Sequence, residues 1–365
     1  MKNTMKFGAL MVSAALVLSA CGGAATDAKP EAGKENKETT KTEPAKKVKA
    51  CMVSDEGGFE DKSFNQSGFE GLKRAEAELG IEIKFTESHS AADYDPNIEA
   101  LISDNCDIIV GVGFLMADIM KEKATANPDV KFAIVDFNYE EKPENLKPLV
   151  FNTAEASYLA GYVAAGMTGK GKIGTFVGLN IPTTAIFADG FEDGMKKYNE
   201  EHGADVKLVG WDKAKQDGIV VGGFSDVPKG QTFSNQLIEQ GVDVIMPVAG
   251  PVGAGTLAAA KEANNGTMVI WVDADGYNTQ PEFKNLILTS VVKEIGNSVF
   301  DTIKGLTEGN FSGEPYVGNL KNGGVSIAPF HDFEDKVPAE VKEGVKKLEE
   351  KIKNGEIKVE SKNQP

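Results

Sequence analysis

Histidine and cysteine are scarce, three of each in 365 residues. His89, His202 and His331 are scattered, so no metal-ligand spacing appears, and neither a metal nor a cofactor is expected. There is no CxxC pair and no dense disulfide framework. The nucleophile elbow G-x-S-x-G is missing. Gly166 to Gly171 lacks both the spacing and the final hydroxyl of a phosphate loop. The glycines from Gly250 to Gly255 run in the wrong order for a dinucleotide fingerprint. Asp273-Ala274-Asp275-Gly276 begins like a calcium loop but has none of the later ligands. Positive charge is also short, with 39 Lys and Arg against 55 Asp and Glu and a net charge of −16. Phosphate binding needs clustered Lys and Arg, so nucleic acid is excluded as a partner. The N-terminal apolar run, Phe7 to Leu18, is about a dozen residues long and too short to span a bilayer stably.

That run is informative for another reason. Lys2 and Lys6 precede it, and Leu18-Ser19-Ala20-Cys21 closes it, giving the basic, apolar and small-residue regions of a secretory signal. With cysteine following at once, residues 1–20 resemble a bacterial lipoprotein signal peptide. The resemblance implies that Cys21 is lipidated and becomes the N-terminus, tethering the protein to the outer face of the cell membrane. Residues 21–47 are Ala, Thr, Lys, Glu, Pro and Gly almost throughout and bury too little to offset ordering entropy, so they read as a flexible tether. Cys51 and Cys106 lie in or beside strands of the same half, which makes a bridge conceivable. Two thiols with apolar flanks are nevertheless read here as simply buried.

From Val48 onward, short Val- and Ile-rich strands alternate with amphipathic helices. Expected strands include 48–54, 81–85, 107–112, 131–136 and 148–151, with a helix over 63–79 stopped by Gly80. The pattern then restarts, with strands at 172–177, 206–211, 242–248 and 268–273 and helices at 154–167, 187–202, 232–239 and 253–263. Continuous apolar strands separated by helices indicate parallel sheets covered on both faces, and two such series indicate two doubly wound α/β lobes. The strand 286–292 is expected to carry the chain back to the first lobe. The lobes are accordingly drawn as 48–152 with about 290–335, and 153–289, followed by a terminal helix and tail over 336–365.

Ligands of open parallel sheets sit beyond the carboxyl ends of the strands, so those ends are the candidate site. The first strand leads into Asp55, the glycine pair Gly57-Gly58, and Asp61-Lys62-Ser63-Phe64-Asn65. Asp61 or Ser63 suits a helix cap. Asp55, Phe64 and Asn65 supply more than capping needs: an aromatic face beside polar edges fits a planar heterocycle with donors and acceptors. Other strands end in Gly113-Phe114, in Asp136, and in Gly250, whose glycine turn lets backbone approach a ligand closely. Phe187 and Phe191 are expected to open a helix after a loop over 178–185. Asp273 and Lys293 suit a ribose, because a carboxylate accepts two vicinal hydroxyl protons and a lysine donates to sugar oxygens.

At these residues the chain resembles the basic membrane protein family, the purine nucleoside receptor-like substrate-binding lipoproteins of ABC transporters. The resemblance rests on Asp61-Lys62-Ser63-Phe64-Asn65-Gln66 after Gly57-Gly58, on Gly111-Val112-Gly113-Phe114, on Leu159-Ala160-Gly161, on Val248-Ala249-Gly250 and on Thr289-Ser290-Val291-Val292-Lys293. It implies a type I periplasmic-binding-protein fold that closes on a nucleoside and serves a permease, as a monomer and without catalysis. By the same resemblance, Asp55, Asn65 and Asp136 address the base edge, Phe64 or Phe114 stacks with Phe187 on the base, and Gly250, Asp273 and Lys293 hold the ribose. Ile186 stands where relatives often carry Arg, and Pro251 where some carry Gly. A sugar or other small polar solute on the same fold is the alternative ligand, and an extracytoplasmic nucleoside-cleaving enzyme the alternative class. The cleft phenylalanines count against the first; the lack of a metal cluster or an activated acid counts against the second.

Overall fold

The computed structural model describes residues 47–365. The expected signal peptide, Cys21 and all of the tether but its last residue lie outside the described residues. The chain begins with β1 (Lys49–Ser54), α1 (Phe64–Leu79), β2 (Glu82–Thr86), α2 (Tyr94–Ser103), β3 (Ile108–Val112), α3 (Ala117–Ala126), β4 (Lys131–Val135) and β5 (Leu146–Phe151). A second series follows: α4 (Thr153–Met167), β6 (Lys172–Val177), α5 (Pro182–His202), β7 (Lys207–Val209), a small antiparallel pair β8 (Trp211–Asp212) and β9 (Asp217–Gly218), α6 (Val227–Glu239), β10 (Val244–Val248), α7 (Gly253–Ala263) and β11 (Met268–Asp273). The remainder comprises α8 (Gly276–Thr279), β12 (Ile287–Lys293), α9 (Ile295–Thr307), β13 (Tyr316–Gly318), β14 (Val325–Ile327) and α10 (Ala339–Lys353).

Two six-stranded sheets result, in the orders β13-β5-β4-β3-β1-β2 and β14-β12-β11-β10-β6-β7. All pairings within them are parallel except β12 with β14. Every residue of β3 and β10 is buried, as expected for strands with helices on both faces. The orders correspond position by position, so β4 of the first sheet and β11 of the second occupy equivalent places. Helix α4 is buried over nearly its whole length and packs backbone to backbone against α5. A Cβ on Gly194 would lie 1.9 Å from the carbonyl oxygen of Tyr158, so only glycine fits at that crossing.

The chain passes between the sheets after β5, after β12 and between β13 and β14. The passages are tied together: Asn152 N–H donates to Gly318 O (2.8 Å) and Glu294 N–H to Gly324 O (3.0 Å). The side chain of Glu155 accepts from Leu320 N–H and from the Asn152 amide.

Three local expectations are corrected. The strand expected to return to the first lobe is β12, which stays in the second sheet between β11 and β14; the crossing follows Lys293, and β14 also belongs to the second sheet. An apolar β run reads the same whichever sheet it joins, so a boundary at about 290 falls inside a strand. Helix α5 begins at Pro182, not at Phe187. Proline is suited to the first turn, where its missing N–H has no intrahelical partner to lose, so part of the expected loop is helix. Finally, Cys51 and Cys106 form a disulfide with Cα atoms 6.0 Å apart. Strand pairing decides this: β1 and β3 are neighbours with Cys51 opposite Ile109, so the chain entering β3 brings Cys106 alongside β1.

The bridge closes a loop across 55 positions. Such a cross-link restricts the unfolded chain, and its reduction is expected to lower the stability of the native state by about 2–4 kcal/mol. Urea unfolding of the oxidised protein and of the Cys51→Ser/Cys106→Ser variant checks this through the shift in midpoint.

Candidate functional site

The carboxyl ends of β1, β3, β4, β10, β11 and β12 converge on one cavity of about 600 Å³, part of it open to solvent. All ten residues singled out from the sequence line it: Asp55, Asp61, Phe64, Asn65, Phe114, Asp136, Phe187, Gly250, Asp273 and Lys293.

The first wall grows from the β1–α1 loop. Asp61 accepts from the backbone N–H groups of Ser63, Asn65 and Gln66, so it occupies the donors that open α1. Ser63 makes no side-chain cap, which settles the choice between those two residues. With α1 anchored, the Asn65 amide donates to Asp55 Oδ1 (2.7 Å) and to Asp61 Oδ2 (3.1 Å). Two carboxylate acceptors fix the orientation of that amide, and Asn65 Oδ1 is left buried without a donor among the described residues. Asp55 also accepts from Gly57 N–H. Gly113 makes room for it: at φ +132°, a Cβ there would lie 2.7 Å from Asp55 Oδ2. Burial pushes the Asp55 carboxyl up to about 6, against the lowering by its bonds from Gly57 and Asn65.

The second wall centres on Lys293, the last residue of β12, which is 2% exposed. Its ammonium lies 2.6 Å from Asp136 Oδ2 and 3.7 Å from Asp273 Oδ1. Asp136 follows β4 and Asp273 ends β11, so equivalent ends of the two sheets supply the two carboxylates. Both hold φ at +70°, a left-handed backbone that costs a non-glycine residue about 1–3 kcal/mol and is typical of functional positions. The same ammonium sits over the rings of Phe64, Phe151 and Phe187, at 4.7, 5.4 and 5.8 Å from their centroids. Burial raises the Asp273 carboxyl to about 6; Lys293 opposes this and the charges of Asp136 and Asp61 add to it. Burial likewise raises Asp136 and Asp61, with Lys293 opposing at Asp136 and the capping bonds opposing at Asp61.

The aromatic lining departs from the sequence reading in detail. Phe114 meets Phe137 edge-on, with centroids 5.0 Å apart. Phe187 lies inside α5 and is 2% exposed. Phe224, not singled out from the sequence, also lines the cavity; a Cβ on Gly178 would fall 2.4 Å from its ring. The signal was present, because Gly222-Gly223-Phe224 repeats the glycine pair and aromatic of Gly57-Gly58-Phe59. Ser63, considered only as a cap, sends its hydroxyl to Val272 O (3.0 Å) and Asp273 Oδ2 (3.1 Å), which belong to the other sheet. Ile186 lines a neighbouring cavity rather than this one, while Pro251 does line it. Asp275 caps α8 through Tyr277 N–H and pairs with His331, outside the lining.

Two parallel sheets joined by adjacent passages, with a cavity where their strand ends meet, are the build of a solute-binding protein. The chain belongs to the family of PnrA-like ABC transporter substrate-binding proteins, whose model matches residues 48–363. It is 31% identical over 99% of its length to the ABC transporter nucleoside-binding protein BmpA of Lactococcus lactis, covering 99% of that protein. It is 32% identical over 96% of its length to an uncharacterized lipoprotein of Pyrococcus abyssi, 89% of which is covered. Among solved structures, an ABC transporter solute-binding protein of Aeropyrum pernix superposes with a TM-score of 0.77 at 28% identity, covering 85% of this chain and 92% of that one. Among the described residues, no helix is long and apolar enough to cross a membrane.

The raised carboxyls have a consequence for stability. An acid whose folded pKa lies above its unfolded value of 3.8 binds protons more tightly when folded. The resulting penalty is absent below about pH 3.8 and complete above about pH 6, so Asp55 and Asp273 make the protein less stable as pH rises across that window. Asp55→Asn is expected to flatten the pH dependence of the thermal midpoint between pH 4 and 6, as followed by circular dichroism. An unchanged slope would place the Asp55 titration elsewhere.

Proposed function

We propose that the chain is the lipid-anchored, extracytoplasmic receptor of an ABC transporter, and that it captures a nucleoside in this cavity for delivery to a permease. The relative named as nucleoside-binding supports the ligand class, and the lipoprotein relative and the signal-like N-terminus support the anchor. The observation that carries the reading is the unpartnered Asn65 Oδ1 beside Asp55. A buried acceptor left without a donor costs about 1–3 kcal/mol, and an N–H on a heterocycle edge would remove that cost. Phe64, Phe187 and Phe224 offer faces for the ring, with Phe224 sharing the stacking role that the family resemblance gives Phe187. Asp273 and Lys293 suit the vicinal hydroxyls of a ribose, and Gly250, at φ +54° with no atom within 4 Å of a Cβ position, presents open backbone to the same ligand.

The favoured ligands carry an N–H on the base, as in guanosine and inosine. Free sugars would leave the Asn65 acceptor and the aromatic faces unused. Isothermal titration with guanosine, inosine, adenosine and ribose tests the assignment. Nucleosides are expected to bind and ribose to bind far more weakly. Asp273→Ala is expected to weaken nucleoside binding by about 1.5–3 kcal/mol, the range of a hydrogen bond to a charged group. Phe187→Ala and Phe224→Ala are each expected to cost about 1–3 kcal/mol if the residue stacks on the base. Equal affinity of wild type and the Asp273 variant would remove the ribose from that carboxylate.

A further inference from the structure

Ser63 is fully buried in the loop that leads into α1, on the first-sheet side of the cavity. A serine before a helix ordinarily turns its hydroxyl onto the backbone N–H groups of the first turn. Here Asp61 already holds those N–H groups, and the hydroxyl is free for another use. It reaches β11 of the second sheet, 3.0 Å from the carbonyl oxygen of Val272 and 3.1 Å from Asp273 Oδ2. One hydroxyl proton serves one of these acceptors at a time. The bond engages Oδ2 of Asp273, while Oδ1 lies 3.7 Å from the Lys293 ammonium. Lys293 with Asp136 is a second direct bond between the sheets. Parting the two sheets would break both.

We infer that Ser63 is a positioning residue of the binding cleft: its hydroxyl latches the first-sheet loop onto β11 and sets the Asp273 carboxylate with Oδ1 facing the ligand. The inference rests on the proposed nucleoside site for its kinetic consequence but not for the latch itself. Asp61 preorganises the latch, because its capping bonds hold the backbone at Ser63 and Asn65 rigidly and so fix the direction of the hydroxyl. Closure of the cleft then places a buried donor against two acceptors, and each opening must leave them without it. The contribution of Ser63 therefore falls on the dissociation of a captured ligand. Association, which starts from parted sheets, does not draw on it.

The test compares the wild-type mature protein with Ser63→Ala, using guanosine in stopped-flow binding and displacement. Dissociation is expected to be roughly tenfold to hundredfold faster in the variant, with association unchanged, as the loss of a hydrogen bond to a charged or buried acceptor predicts. The same bond lowers the Asp273 carboxyl, so the acid side of the binding profile is expected to move to higher pH in Ser63→Ala. Without nucleoside, amide hydrogen exchange over residues 57–66 and 272–276 is expected to be faster in the variant, while the thermal midpoint falls by no more than about 4 °C, the shift that losing one buried hydrogen bond gives in a chain of this size. Unchanged exchange and unchanged dissociation would overturn the latch. A loss of affinity carried by association, or a fall in the thermal midpoint well beyond about 4 °C, would overturn it too. If wild type binds no nucleoside, the ligand assignment fails, and the exchange comparison still decides whether Ser63 ties the sheets.

Discussion

The structure depends on one buried cation. Lys293 ends β12 almost out of contact with solvent, and it is compensated by carboxylates from equivalent strand ends of the two sheets. Desolvating an ammonium and two carboxylates costs several kcal/mol per ion, and geometry must repay it. Here repayment comes from a 2.6 Å bond to Asp136, from Asp273, and from three aromatic rings that face the charge. The left-handed backbone at both aspartates follows from the same constraint, since each carboxylate must turn back from its strand end towards a single ammonium. The two carboxylates carry more acceptor capacity than Lys293 can satisfy.

The opposite wall works by a different route. Asp61 spends its oxygens on α1, Asn65 spends its amide donors on Asp55 and Asp61, and what remains is one buried acceptor beside one carboxyl raised by burial. The polar side chains of this wall are thus held by hydrogen bonds to one another, and aromatic side chains lie between the two walls.

Side-chain bonds cross between the sheets at the cavity. Lys293 with Asp136 is such a bond between lining residues, and Ser63, buried behind the lining, bonds to β11. The passages at Asn152, Glu294 and 319–324 are bound side by side, so the sheets are joined along one edge, next to Lys293.

Much of this was legible in the sequence because it is local. The period-2 and period-3.6 patterns gave two βα series, and strand ends are where parallel sheets put their ligands, so Asp55, Asn65, Asp136, Asp273 and Lys293 could be named from position alone. Phe187 could be named too, but its place within α5 could not, since Pro182 reads as loop until the helix that accepts it is known. What the tertiary structure decided is pairing. Which sheet takes the strand before Lys293, that Cys51 meets Cys106, that Asp136 and Asp273 share one lysine, and that Ser63 crosses to the other sheet all depend on strand order and sheet placement. Those are set by long-range packing of apolar faces, and an apolar strand carries no mark of the neighbour it will bury against.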